Sequence, residues 1–131
     1  MKKIEKCYVA KDEIANVLIQ INIGKEATKT GIAIEEISDL IKVCEECNNV
    51  KVKGLMATIP IGDDESSRKY FAQMKTIFEN LKTFNYKNVS MEFLSLGMSK
   101  DFSIALEKGS NMVRLGESIF GKRDYKKLEV L

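Results

Sequence analysis

Three stretches put small or polar residues where an apolar run stops. Ser95-Leu96-Gly97-Met98-Ser99 closes one such run and opens a helix-like pattern. Gly97 lets the backbone approach a ligand closely, Ser99 offers a hydroxyl, and a helix start offers free N–H groups. Together these make an anion site; alternatively, Ser99 simply caps the helix. Arg114-Leu115-Gly116-Glu117 holds an arginine inside an apolar run, where burying a charge without a partner is costly. Arg114 therefore needs an anion or a hydrogen-bond acceptor, and Gly116 again permits close approach of backbone amides. Gln20 and Asn22 alternate with Ile19, Ile21 and Ile23, so both amides face one side of a strand near its C-terminal end. They read equally well as part of a ligand site or as a polar layer closing a barrel mouth.

Composition removes many other chemistries. The 131-residue chain has no histidine, so no imidazole base, Ser-His-Asp triad or His-ligated metal can form. Its 3 cysteines cannot build a Cys₄ zinc site. Cys44-Glu45-Glu46-Cys47 lies within a helical pattern without a glycine or proline to shape a redox turn, and reads as core and boundary cysteines. Lys+Arg 21 against Asp+Glu 19 gives a net charge of +2, too balanced for a nucleic-acid binder. The cluster Lys122-Arg123-Asp124-Tyr125-Lys126-Lys127 reads as a solvated terminal segment. No apolar stretch is long enough to span a membrane or begins the chain as a signal core, so the expected setting is cytoplasmic.

The elements that must position these residues alternate in type. Strand-like runs cover Val17 to Ile23, Val50 to Pro60, Met91 to Met98 and Met112 to Phe120. Amphipathic helices are predicted over Ile34 to Cys47 and Ser67 to Phe84, the second entered through a capping turn at Gly62-Asp63-Asp64. A shorter helix runs from Lys100 to Lys108, with Ser99 as N-cap and Gly109 just past its end. Met1 to Glu13 reads as the end of another helix. Such alternation implies parallel strands joined by right-handed crossovers, which a doubly wound sheet and a (β/α)₈ barrel both satisfy. Four βα units are half of a barrel, and residues 1–131 are expected to form one unit. If the strands are the last four of a barrel, Ser99 and Gly116 fall in the two loops that commonly hold phosphate.

The ordered runs Leu18 to Ile23, Gly54-Leu55-Met56-Ala57-Thr58-Ile59-Pro60, Leu94 to Phe102 and Val113 to Tyr125 are similar to the C-terminal half of the pyridoxal phosphate homeostasis proteins (the YggS/PROSC family). That family in turn resembles the N-terminal barrel of alanine racemase. The resemblance extends from about Ala15 onward. It implies an α/β fold of parallel βα repeats, equivalent to strands five to eight of a TIM-type barrel, so that the chain begins inside the fourth helix. It further implies binding of pyridoxal 5′-phosphate, without enzymatic turnover, in vitamin B6 and amino-acid homeostasis. Ser99 would give its hydroxyl to the cofactor phosphate, Gly116 and Glu117 their backbone N–H groups, and Arg114 would face the pyridine nitrogen.

Two departures matter. The family's Schiff-base lysine, in a V-S-K motif on the first barrel strand, has no counterpart here, and the N-E-N-Y and W-H-F-I-G segments are also missing. Lys25 and Lys29, after the first strand, are the nearest substitutes, although a solvated loop explains both. Glu117 stands where relatives usually carry Thr or Ser, so only its amide suits a phosphate. Three functions follow. The first is a pyridoxal-phosphate-binding homeostasis protein holding the phosphate half of the site. The second is a racemase-like enzyme, which needs a lysine and a second base that the sequence does not offer. The third is an interaction module, because four strands leave open edges that a homodimer or a complementing half-barrel would close.

Overall fold

Each apolar run becomes a strand of one parallel sheet in the computed structural model, which describes residues 1–124. The strands are β1 (Ala15–Gln20), β2 (Val50–Met56), β3 (Val89–Met98) and β4 (Met112–Arg114). The helices are α1 (Lys2–Val9), α2 (Ile37–Glu45), α3 (Asp64–Lys82), α4 (Phe102–Glu107) and α5 (Glu117–Phe120). Neighbours in the sheet follow chain order, β1-β2-β3-β4, and every pair is parallel. A doubly wound sheet would reverse its order at a switch point. Sequential order with right-handed crossovers keeps the helices on one side and curls the sheet into half of a barrel.

The helix side carries the core. In α2, Ile37, Ile41 and Cys44 are buried at helical spacing; in α3, Phe71, Met74 and Phe78 are. They lie over a cross-strand row, Ile19–Leu55–Leu94, held in register across three strands and fully buried. This row, with Ala57, faces the helices. Of the residues the sequence offers for the inner wall, Leu18, Leu55, Ala57, Leu94 and Val113, the three at 55, 57 and 94 lie on the helix side instead, because bulges between Val17 and Leu18 and between Val52 and Gly54 alter the alternation. The neighbouring row, Leu18–Gly54–Phe93, occupies the concave face instead. Gly54 makes that approach possible. At φ +152° a Cβ there would lie 1.8 Å from the Phe93 carbonyl oxygen.

Element ends show where local chemistry prevails. The Asp63 carboxylate accepts the Ser66 N–H at 2.8 Å and starts α3 before Ser67, as its capping turn predicts. At the other end of α2, Glu45 accepts the N–H groups of Lys87 and Asn88 at 2.7 and 2.6 Å. Asn88 returns its amide to the carbonyls of Cys44 and Cys47. This latch ties α2 to the start of β3. The fourth strand departs most from expectation. It ends at Arg114, not Phe120, because Gly116 opens a helical turn and residues 117–120 coil as α5. No helix among the described residues is long and apolar enough to cross a membrane. Tyr125, Lys126 and Lys127 of the basic terminal cluster lie outside the described residues.

Candidate functional site

The C-terminal ends of β2, β3 and β4 surround a cavity of about 420 Å³. Ser99, Arg114, Gly116 and Glu117 all line it, although they come from two different loops, the end of β4 and the start of α5. Parallel strands bring this about, since their C-terminal ends collect at one edge of the sheet.

Arg114 is the organising side chain. Its Nη1 donates to the Ser95 carbonyl at 3.0 Å and the Ser95 hydroxyl at 2.7 Å. Its Nη2 donates to the Ala57 carbonyl at 3.0 Å and the Thr58 hydroxyl at 3.3 Å. The guanidinium thus ties the ends of three strands together with four of its five N–H groups, and its Nε–H has no acceptor among the described residues. Burial lowers its pKa from the ordinary value, while Asp101 nearby opposes that shift. The sequence requires a partner for this arginine, and the strands themselves supply most of it.

Ser99 does not cap α4. Asp101 holds the N-cap position, and its carboxylate accepts the Met98 N–H at 2.7 Å. The Ser99 hydroxyl instead accepts the Ser118 N–H from α5 at 3.0 Å. A hydroxyl that accepts in this way keeps its own proton for donation to a third group. Gly97, at φ +92°, has a different neighbour from the one its position suggests. A Cβ there would lie 2.7 Å from the Ala105 side chain, so the absent side chain makes room for α4 rather than for a ligand. Gly116 is the converse: a Cβ there meets nothing within 4 Å. Open space lies beside its backbone, and the amides at the start of α5 have no acceptor within the helix. The Glu117 side chain is exposed.

The first strand contributes through its loop. Gln20 donates to the Thr30 carbonyl and hydroxyl at 3.2 and 3.0 Å, and Asn22 exchanges two hydrogen bonds with the backbone of Glu26. Both amides therefore shape the loop between β1 and α2. That loop separates the two lysines. Lys25 is exposed and pairs with Glu35 at 3.2 Å. Lys29 is half-buried, lines the cavity and has no ion-pair partner among the described residues. Thr58, Asp64 and Lys100 also line it. Nothing in their spacing marks them, and only the position of Thr58 just before Pro60, at a strand end, could have suggested one of them.

The residues present fit a small phosphate ester. A hydroxyl proton, helix-start amides and an arginine converge on open space, and no metal-holding group of carboxylates or thiols occurs among the described residues.

The chain is similar to several known proteins. A pyridoxal phosphate homeostasis protein of Aquifex aeolicus is 37% identical over 94% of this chain and 54% of its own length. That of Escherichia coli K12 is 45% identical over 86% of this chain and 47% of its own. The chain spans about half the length of the curated relatives it matches. PipY of Synechococcus elongatus PCC7942, solved with PLP bound, superposes on 92% of this chain and 55% of its own, with TM-score 0.79 and 21% identity. That likeness shows the fold, an α/β half-barrel. The model for the alanine racemase N-terminal domain matches residues 1–124, all four strands and the cavity between them included, and the chain belongs to that family.

Proposed function

We propose that this chain binds pyridoxal 5′-phosphate as the phosphate-holding half of a pyridoxal phosphate homeostasis protein, without turnover of its own. One observation carries the reading: Ser99, Arg114, Gly116 and Glu117 line a single cavity of about 420 Å³. When bound, the cofactor supplies an aldehyde and an electron-withdrawing pyridine ring. Ser99 would donate its remaining proton to the phosphate, joined by the amides of Gly116 and Glu117. The exposed Glu117 carboxylate would stay clear of that charge. Arg114 would present Nε–H to the ring nitrogen and, having no lone pair with which to accept a hydrogen bond, would leave that nitrogen unprotonated. A ring so held withdraws electrons weakly, which suits retention better than carbanion chemistry. The setting we assign is cytoplasmic. The partner is the cofactor together with a unit that completes the barrel, a second copy or a complementing half-barrel.

Titration with pyridoxal phosphate, followed by absorbance and by competition with inorganic phosphate, tests the reading. Saturable binding that phosphate competes away is the expected result. Binding indifferent to phosphate, or none at all, overturns it. Added amino acids should produce no product.

A further inference from the structure

Among the described residues, the hydroxyls of Thr58, Ser67 and Ser99 line the cavity. Ser67 spends its proton on the Asp63 carbonyl at 3.0 Å, and the Ser99 proton is assigned to phosphate above. The Thr58 hydroxyl accepts from Arg114 Nη2 at 3.3 Å, and its own proton has no acceptor among the described residues. We propose that Thr58 donates this proton to the ring 3-oxygen of pyridoxal phosphate, so that Thr58 and Arg114 together recognise the ring. The inference rests on the ligand assigned above and adds the contact that decides which phosphate esters the cavity takes.

The fold aims Thr58 at the cavity. Its neighbours Ala57 and Ile59 are buried in the core under the helices, at 0% and 7% exposure. Side chains alternate along extended backbone, and the half-buried Thr58 turns the other way, where it meets Arg114. The Ala57 N–H donates to the Ser95 carbonyl at 3.2 Å, which carries the sheet pairing one residue past β2 and holds Thr58 in place. Ser95 supplies the contrast. Its hydroxyl accepts from the same guanidinium at 2.7 Å, yet it is 1% exposed and lies outside the cavity lining. Ser95 therefore steadies the arginine without reaching a ligand, and Thr58 does both.

Ligand chemistry selects the acceptor. In pyridoxal phosphate the ring nitrogen and the carbon bearing the 3-oxygen flank the methyl-bearing carbon, and the phosphate arm leaves from the opposite side of the ring. A ligand with its phosphate at Ser99 and Gly116 and its nitrogen toward Arg114 brings the 3-oxygen to the arginine end, beside Thr58. The aldehyde lies between the 3-oxygen and the phosphate arm, farther from Arg114. When the 3-oxygen is ionised, the bond from Thr58 is charge-assisted and stronger. The phosphate contacts suit any small ester, whereas Arg114 and Thr58 require a flat ring with two acceptors.

4-Deoxypyridoxine 5′-phosphate tests the contact, because it keeps the 3-hydroxyl and the phosphate but has no aldehyde to react with lysines. Its counterpart lacking the 3-hydroxyl is the matching probe. By calorimetry the parent chain should bind the first about tenfold more tightly than the second. Thr58→Val keeps the branched shape and removes the hydroxyl. It should weaken the first probe about tenfold, leave the second unchanged and so close the gap, while Thr58→Ser restores it. Equal binding of the two probes to the parent chain overturns the proposal. So does a gap that survives Thr58→Val, or a variant that weakens both probes alike, since the hydroxyl would then act through Arg114 alone. If Thr58→Val fails to fold, the two probes on the parent chain decide. Probes that bind equally and are displaced by inorganic phosphate overturn this contact only, whereas failure of both to bind overturns the wider reading as well.

Discussion

Ser99 illustrates how a side chain can be committed and available at once. Its oxygen accepts from Ser118, which fixes the hydroxyl between α5 and the β3–α4 loop and leaves one proton to give. Ser99→Ala removes that donor. It should weaken phosphate competition about tenfold, near the 1.5 kcal/mol of a hydrogen bond to a charged group, while an exposed control such as Lys42→Ala has no effect. Gly116→Val should act as strongly for a different reason, since its side chain would enter space that is now open. A titration in which both variants match the parent removes these residues from the site. The sequence identified these residues because each is costly in its place. An arginine in an apolar strand and a glycine at a strand end both ask for an explanation. Lys29 sent no such signal: a loop lysine is ordinary, and only the hydrogen bonds of Gln20 and Asn22 turn this one toward the cavity side of its loop.

Among elements, those with strong periodicity were legible and those set by backbone accommodation were not. Apolar spacing located α2 and α3, and Asp63 marked where α3 begins. Which face of each strand is buried could not be read, because the bulges before Leu18 and around Lys53 change the alternation without leaving a distinctive residue except Gly54. Gly54→Ala should therefore be unusually harmful. Its Cβ would clash with the backbone of Phe93, not with a flexible side chain, and we expect a loss of at least about 2 kcal/mol in urea unfolding. A loss below half of that would mean the two strands can part at little cost. The length of β4 was overestimated for a related reason: apolar residues continue to Phe120, yet the backbone coils once Gly116 is passed. In α2, burial followed by the neighbouring Cys47 pushes the Cys44 thiol up to about 11 from 9.0. A folded state that disfavours the thiolate keeps its full stability below pH 9 and loses it as pH rises toward 11. Cys44→Ala should flatten that alkaline decline, and thiol-reactive probes should modify the exposed Cys7 long before Cys44. Equal rates at the two would contradict the burial.

For the molecule as a whole, the family resemblance carried the architecture, and four ordered motifs made half of a barrel readable. Lys29 and Lys100 line the cavity from two different loops, so the described residues should hold an aldehyde ligand without one dominant covalent attachment. Borohydride reduction with pyridoxal phosphate, followed by peptide mapping, should therefore label several amines at low yield. Stoichiometric labelling of one lysine would overturn this. Lys29 would then be the expected position, because Lys25 is exposed and engaged with Glu35.

The sequential strand order also has a kinetic meaning. Among the described residues every strand pairs only with the one made just before or just after it, so no strand pairing waits for a distant part of the chain. Such a sheet can lengthen during synthesis, one βα unit docking on the last, with the Glu45–Asn88 latch checking the register between α2 and β3 as each is completed. The same logic run backwards sets the order of loss. β4, three residues long and paired among the described residues only with β3, should release its amides first in hydrogen exchange, well before β2 and β3. Uniform protection across the four strands would show that they open together, and that the sheet is one cooperative unit from edge to edge.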